Sequence, residues 1–432
     1  MPLSSDMIIA SIIFVLTYIL IVSEKIDRVI AALGGGVIMI VFGLFSGKNP
    51  YTQELAFEAV DYNTLGLLIS MMVIVMITKR TGVFEFLSIK TVKIAKGEPW
   101  KILVYLSVIT ALMSAFLDNV TTILLILPIT LDVCRELKLK PVPFIISQIF
   151  ASNIGGTATL IGDPPNIMIG ADTNLSFMDF IYNVAPVIVI ILPITVLAFV
   201  ILYKKHFSTS DDLKKKVMLL DESKAIKNKT LLIKSLSVLT LTITGFMLHG
   251  ALHIESSTIA ITGAVLLMLI SKVSIEHILQ EVEWKTIFFF TGLFMLVGGL
   301  EHAGVLKLIA ETIVGATGDN VVLLGISILW VSAILSAFVD NIPFTATMIP
   351  LIKSVGTLTG MNIVPLWWAL SLGACLGGNG TIIGASANVV ASGMAEENGH
   401  KITFGQYFKV CFPIMLITII ISMVYLLIFQ LH

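Results

Sequence analysis

"SAFLDNVTTILLILPIT" occupies residues 114–130 and "SAFVDNIPFTATMIPLI" occupies 336–352, so nearly the same phrase is written twice, 222 positions apart. Each copy sets an Asp-Asn pair, Asp118-Asn119 and Asp340-Asn341, inside a run that otherwise belongs in hydrocarbon. A carboxylate at the centre of a transmembrane helix costs on the order of 3 kcal/mol on insertion scales, so it is kept only for a use. No Lys or Arg lies in the apolar part of either stretch to neutralise it. Two uses are compatible: each Asp can cap the half-helix that follows it, and each can hold an ion.

Outward from these phrases the chain reads as an integral membrane protein. Of 432 residues 56% are hydrophobic and 13% charged, and apolar runs repeatedly reach bilayer length. The run from Met7 has no basic residue before it and no small-residue cleavage site after it, so it is expected to remain as the first span. Cys134, Cys375 and Cys411 lie far apart without CxxC or metal-type spacing and read as packing residues.

Spans are predicted near 8–22, 27–46, 65–79, 143–170 (interrupted) and 181–203, then 232–250, 256–271, 286–300, 364–394 (interrupted) and 409–430. The stretches 102–134 and 320–352 would be re-entrant hairpins with Asp-Asn at their tips. With the amino terminus outside, 24 Lys and Arg fall on the cytoplasmic side and three (Lys48, Lys307, Lys353) outside, accounting for all 27. Both termini are then extracytoplasmic and the central loop cytoplasmic. That loop mixes charges and reads as a solvated linker, not a nucleic-acid arm.

The repeat extends well beyond the opening phrase. "VDYNT" at 60–64 aligns with "VEWKT" at 282–286, Gly82 with Gly304, and "GGTATLIGDPPN" at 155–166 with "GGNGTIIGASAN" at 377–388. Five crossings per half is an odd number, so the second copy must lie inverted, an architecture of secondary transporters. The expected fold is therefore an all-α polytopic membrane protein of two inverted repeats, 1–203 and 232–432, joined by a linker at 204–231. Each repeat has five transmembrane helices, one of them interrupted, and one re-entrant hairpin.

Glycine and proline at the density of the two GG motifs break the helical ladder and free backbone groups. Such groups are tolerated in a membrane only where protein buries them or they line a wet cavity, and there they become ion ligands. One half-site would comprise Asp118, Asn119, Thr121 and Thr122 with Gly155, Gly156, Thr157, Thr159, Asp163, Pro164, Pro165 and Asn166. The other would comprise Asp340, Asn341 and Thr345 with Gly377, Gly378, Asn379, Thr381, Ser386 and Asn388. Carboxylates among amide, hydroxyl and carbonyl oxygens suit a small hard cation, and burial favours a competing proton. Sodium is expected at Asp118, Asn119, Asp340 and Asn341. The copies are unequal, since Ala385 stands opposite Asp163 and Asn379 opposite Thr157.

Elsewhere, Glu301-His302, His249 and His253 read as interfacial, or as proton-uptake groups at the outer face. Glu85 through Lys96 reads as an amphipathic helix on the inner surface, and Trp367-Trp368 as an interfacial anchor. There is no HExxH, no GxSxG, and no His paired with Ser or Cys at recognisable spacing, so an enzyme is not expected.

The DN hairpins and GG…PPN motifs resemble the ArsB/NhaD branch of the ion transporter superfamily, and most of all its P protein (pink-eyed dilution) type members, over essentially the whole chain. More distantly the chain is similar to divalent anion/sodium symporters, whose tips read Ser-Asn-Thr; here Asp118 and Asp340 stand where that serine would. The resemblance implies sodium/proton exchange, a homodimer, and a mobile domain of hairpins and broken helices moving like an elevator against a scaffold. The alternative is transport of arsenite or another anion, such as a carboxylate, coupled to sodium or protons. Beyond these ions no cofactor is implied; the partners are the lipid bilayer of the cell membrane and a small ion, with no nucleic acid.

Overall fold

Peptide groups in hydrocarbon have no water to bond, so a chain this apolar satisfies them inside helices. The computed structural model describes residues 4–23, 25–44, 50–173, 175–219, 221–318 and 320–431. Glu24, Lys48 and positions 45–46 of the second expected span lie outside the described residues.

The first half runs α1 (Ser5–Ser23), α2 (Arg28–Leu44), α3 (Gln53–Glu58), α4 (Tyr62–Lys79), α5 (Val83–Ile94), α6 (Pro99–Ser114), α7 (Asn119–Glu136), α8 (Val142–Thr157), α9 (Pro164–Thr173), α10 (Phe177–Asn183) and α11 (Ala185–Leu202). After α12 (Asp211–Met218) in the connecting segment come α13 (Lys229–Leu252), α14 (Ser256–Ser271), α15 (Ile275–Glu281), α16 (Trp284–His302), α17 (Val305–Thr317), α18 (Val321–Phe338), α19 (Asn341–Thr359), α20 (Val364–Gly377), α21 (Ser386–Glu397) and α22 (Phe404–Phe429). Helices α4 to α9 start at 62, 83, 99, 119, 142 and 164; α16 to α21 start at 284, 305, 321, 341, 364 and 386, each 222 positions on. Pro128 inside α7 and Pro350 inside α19 keep the same spacing.

Among the described residues seven helices are long and apolar enough to cross a membrane, with three shorter apolar ones beside them. One of the seven, α18, is the first arm of the second hairpin. Their outward faces carry exposed Ile12, Val189, Leu241 and Leu269, the apolar surface that lipid covers. Helix α2 packs along α16 and α4 along α14, with α1 and α13 beside them. Each hairpin arm lies against a broken helix, α6 on α8 and α18 on α20. The halves interlock, because α9 packs on α19 and α21 on α7.

Several local expectations need correcting. Trp367 and Trp368 are buried, not interfacial; Trp368 stands edge-on to Phe180 at 5.2 Å, so apolar packing outweighed a place in the headgroups. The span expected at 181–203 is divided, since α10 ends at Asn183 and α11 begins after Val184. Nε2 of His249 accepts from the Phe177 amide at 2.9 Å, tying α13 to α10. Helix α5 does not simply lie on a surface: it buries Val83, Phe84, Ser88 and Val92, and the connecting segment docks on it.

That docking replaces the expected solvated linker. The Lys227 amide donates to the Thr81 carbonyl at 2.9 Å, Lys93 pairs with Glu222 at 2.5 Å, and Lys214 pairs with Glu98 at 3.1 Å. Lys93 holds the Glu222 carboxyl below the usual carboxylate range, so this contact is present at neutral pH and weakens on acidification. Gly82, at φ 81°, opens α5 where a Cβ would stand 1.8 Å from the Ala225 carbonyl oxygen. Its counterpart Gly304, at φ 83°, would meet only the Met7 methyl at 3.1 Å. Gly304→Ala should therefore cost about 1 kcal/mol of left-handed strain. Gly82→Ala should cost several times more and expose the segment from 204 to 228 to protease. Thermal unfolding in detergent with limited proteolysis checks the difference; equal effects would mean the segment is not held there.

Candidate functional site

Each broken helix stops at paired glycines because a neighbouring backbone passes too close for any side chain. A Cβ on Gly155 would lie 2.1 Å from the Ala111 carbonyl oxygen, and one on Gly377 would lie 2.5 Å from that of Ala333. The freed carbonyls are answered by asparagines one turn inside the next helix. Asn166 Nδ2 donates to the carbonyls of Thr157 (3.0 Å) and Thr159 (2.9 Å). Asn388 Nδ2 donates to those of Gly378 (2.7 Å) and Thr381 (2.8 Å). The hydroxyls are matched too: Thr159 donates to the Ala115 carbonyl at 2.5 Å, and Thr381 donates to that of Ala337. Thus each break is tied to the helix that follows it by an asparagine and to its own hairpin tip by a threonine.

The tips are capped as the Asp residues allow. Asp118 Oδ1 accepts from the Thr121 amide at 2.8 Å, and Asp340 Oδ1 accepts from the Ile342 amide at 3.1 Å. The asparagines that follow join the halves, Asn341 directly and Asn119 by way of Asn153. Asn341 Nδ2 donates to Asp163 Oδ1 at 3.2 Å. Asn119 Nδ2 donates to Asn153 Oδ1 at 3.1 Å, and Asn153 Nδ2 reaches Asn379 Oδ1 at 3.0 Å and Asn388 Oδ1 at 2.9 Å.

One cleft gathers the first residues of four helices, Asn119 (α7), Pro164 (α9), Asn341 (α19) and Ser386 (α21), with Asp118, Asp163, Glu283 and Thr286. Four helix N-termini bring about half a positive charge each, a field in which the three carboxylates Asp118, Asp163 and Glu283 are set. Asp163 is wholly buried, and its Oδ2 has no hydrogen-bond partner. Thr122 Oγ1, Ser114 Oγ and Asn379 Nδ2 are likewise buried without a partner. Among the described residues no Lys or Arg pairs with Asp118 or Asp163, whereas Asp340 pairs with Arg28 at 3.1 Å.

Of the expected site residues, Asp118, Asn119, Asp163, Pro164, Asn341 and Ser386 line this cleft. Asp340 opens instead to a neighbouring groove beside Arg28 and Ile26. Thr121, Pro165, Gly156 and the four residues whose carbonyls the asparagines hold, Thr157, Thr159, Gly378 and Thr381, are buried. Thr157 and Thr345 donate to carbonyls of their own helices, those of Asn153 and Asn341.

Four participants were missed in the sequence: Asn153, Arg28, Glu283 and Ser371, which donates to Asn166 at 2.6 Å. Glu283 carried a signal, since it stands opposite Asp61 in the "VDYNT"/"VEWKT" alignment. Asn153 had a weaker one, an amide two positions before the glycine pair.

Broken helices, paired polar tips and a lipid-facing exterior define a polytopic membrane transporter. The chain belongs to the citrate transporter family, whose sequence model (CitMHS) matches residues 18–373. It is 39% identical over 422 residues to an uncharacterized transporter of Mycobacterium tuberculosis, covering 97% of each chain. It is 38% identical to a 46 kDa membrane protein of Mycobacterium leprae, covering 97% of this chain and 98% of that one. The P protein of Sus scrofa is 33% identical over 505 residues, spanning 99% of this chain and 60% of that protein. The P protein resemblance read from the motifs is thus borne out. The crystal structure of the Alcanivorax borkumensis YdaH transporter shares the fold, with a TM-score of 0.57 at 12% identity over 95% of this chain and 97% of that one.

Asn153 should be the most sensitive of the bridging side chains. Asn153→Ala leaves three buried amides short of a partner, each costing about 1–3 kcal/mol. A lowered thermal midpoint in detergent is expected; a midpoint equal to that of the parent would mean the bridge adds nothing.

Proposed function

We propose that the protein is a secondary active transporter of the cell membrane that exchanges a small cation, sodium foremost, for protons. Asp163 carries this reading: it is wholly buried, with one oxygen on Asn341 and the other unpartnered. Asp118 and Glu283 share its cleft. A buried carboxylate needs a neutralising partner, and a proton or a small alkali cation such as sodium can serve. Competition for one carboxylate is antiport in its simplest form.

The helix N-termini do not call for an anionic substrate, because the chain's own carboxylates occupy them. Hairpin tips of this kind could bind a substrate carboxylate on their free amides, but Asp118 and Asp340 already supply one to each tip. In this reading the two halves lie inverted in the membrane, with the termini outside and the linker inside. The hairpins and broken helices travel together against α1, α2, α4 and their counterparts, within a homodimer. The ion chemistry is that of the ArsB/NhaD branch.

A second reading rests on Arg28 and on the family's description as citrate transporters. An anion, a carboxylate or arsenite, could use the guanidinium and the helix N-termini if protons or sodium first neutralise the aspartates. Proteoliposomes with an internal pH indicator separate the two on addition of sodium, lithium, potassium, arsenite, citrate and succinate in turn. Sodium or lithium alone should drive proton release, reduced at least about a hundredfold in Asp118→Asn and Asp163→Asn while reconstitution is unchanged. A response to arsenite or an organic anion alone, or full activity in Asp163→Asn, overturns the cation reading.

A further inference from the structure

The two Asp-Asn tips carry the same motif but not the same partners. Among the described residues Asp118 accepts at its cap and pairs with no basic residue. Asp340 is fully engaged: Arg28 Nη1 donates to Oδ2 at 3.1 Å, and Ser386 Oγ donates to the same oxygen at 3.0 Å. The same Arg28 nitrogen also donates to Ser386 Oγ at 2.7 Å, closing a three-membered ring of contacts. The guanidinium rests over the Phe289 ring, 5.3 Å from its centre, so α16 holds it from the opposite side.

Asp340 is the ion-pair partner of Arg28 among the described residues, with Asp27 and Glu283 as its other acidic neighbours. Of these, Asp27 caps α2 through the Val29 amide at 2.9 Å and pairs with Lys285 at 3.1 Å. The asymmetry is written in the repeat as well, because the counterpart of Ser386 is Pro164, which has no hydroxyl to offer an arginine. The Asp340 side chain is 11% exposed and that of Arg28 is 35% exposed, so the arginine can swing into the groove it borders without unfolding anything.

Resting on the cation reading above, we propose that Arg28 is a tethered substitute for the transported cation at the second tip. It occupies the Asp340–Ser386 half-site, and guanidinium and incoming cation exclude one another there. A carboxylate in a water-poor site must be neutralised in every state that moves. Arg28 does this when no ion is bound, and an ion arriving on Asp340 releases it. Arg28 thereby sets the cation concentration at which the site fills, and it couples α2 to the second hairpin only in the empty state. Glu283 and Asp118 lie close by in the adjoining cleft and favour the same cation, so they do not reproduce the exclusion.

Thermal unfolding of the full chain in detergent, titrated with sodium chloride against choline chloride at constant ionic strength, reads this without transport. In Arg28→Gln the sodium concentration giving half of the stabilising shift should fall at least about tenfold, the size expected from losing one adjacent charge. Adding Asp340→Asn should abolish that gain. Should Arg28→Gln fail to fold, Arg28→Lys keeps the charge but cannot bridge Asp340 and Ser386 as a fork does, and should give a smaller fall in the same direction. An unchanged or absent sodium response in the variant, or a gain that survives Asp340→Asn, overturns the proposal. So does loss of a citrate-induced shift in Arg28→Gln, which would make the arginine an anion ligand. Failure of the cation reading itself is told apart by Asp163→Asn, whose undiminished proton flux in liposomes does not involve Arg28.

Discussion

An interrupted helix buried in a membrane protein has carbonyls that must be answered by side chains, and the rest of this site hangs on how Asn166 and Asn388 do it. Each amide holds two carbonyls of the preceding break, which fixes where α9 and α21 begin. Their first residues, Pro164 and Ser386, are thereby aimed at the same cleft as the capped starts of α7 and α19. Leaving a buried carbonyl without a donor costs about 1–3 kcal/mol, so the asparagines stabilise the breaks and aim the helices in one stroke. The aspartates can then sit at four converging positive helix ends, where a carboxylate is least costly.

The halves are equal in scaffolding and unequal in charge. Element starts, proline kinks, glycine contacts and the asparagine pins recur with one spacing. Asp163 faces Ala385, and Arg28 attends Asp340 alone. A repeated frame with a single-copy charge pattern gives two tips with different electrostatic surroundings, Asp340 paired with Arg28 and Asp118 not.

Much of this was legible in the sequence. The written repeat, the Asp-Asn tips and the GG motifs marked the hairpins and breaks, because buried charge and helix breakers are costly enough to be conspicuous in apolar runs. What escaped was long-range. Arg28 reads as one more cytoplasmic basic residue, and only the packing of α2 against α16 carries it to Asp340, 312 positions away. Trp367-Trp368 looked like an anchor because aromatic pairs favour interfaces, yet the contact with Phe180 needed the tertiary fold. The docked linker depended on Gly82 bringing Ala225 within reach, which no local pattern encodes.

The central claim is that a proton and a cation compete for the buried Asp163 carboxylate. It is tested most directly by counting protons released when sodium is added to the purified protein in weakly buffered detergent solution. About one proton or more per chain should appear, as coupled titration of a shared site requires, and none from Asp163→Asn. No release from the parent protein, or equal release from the variant, would contradict the account.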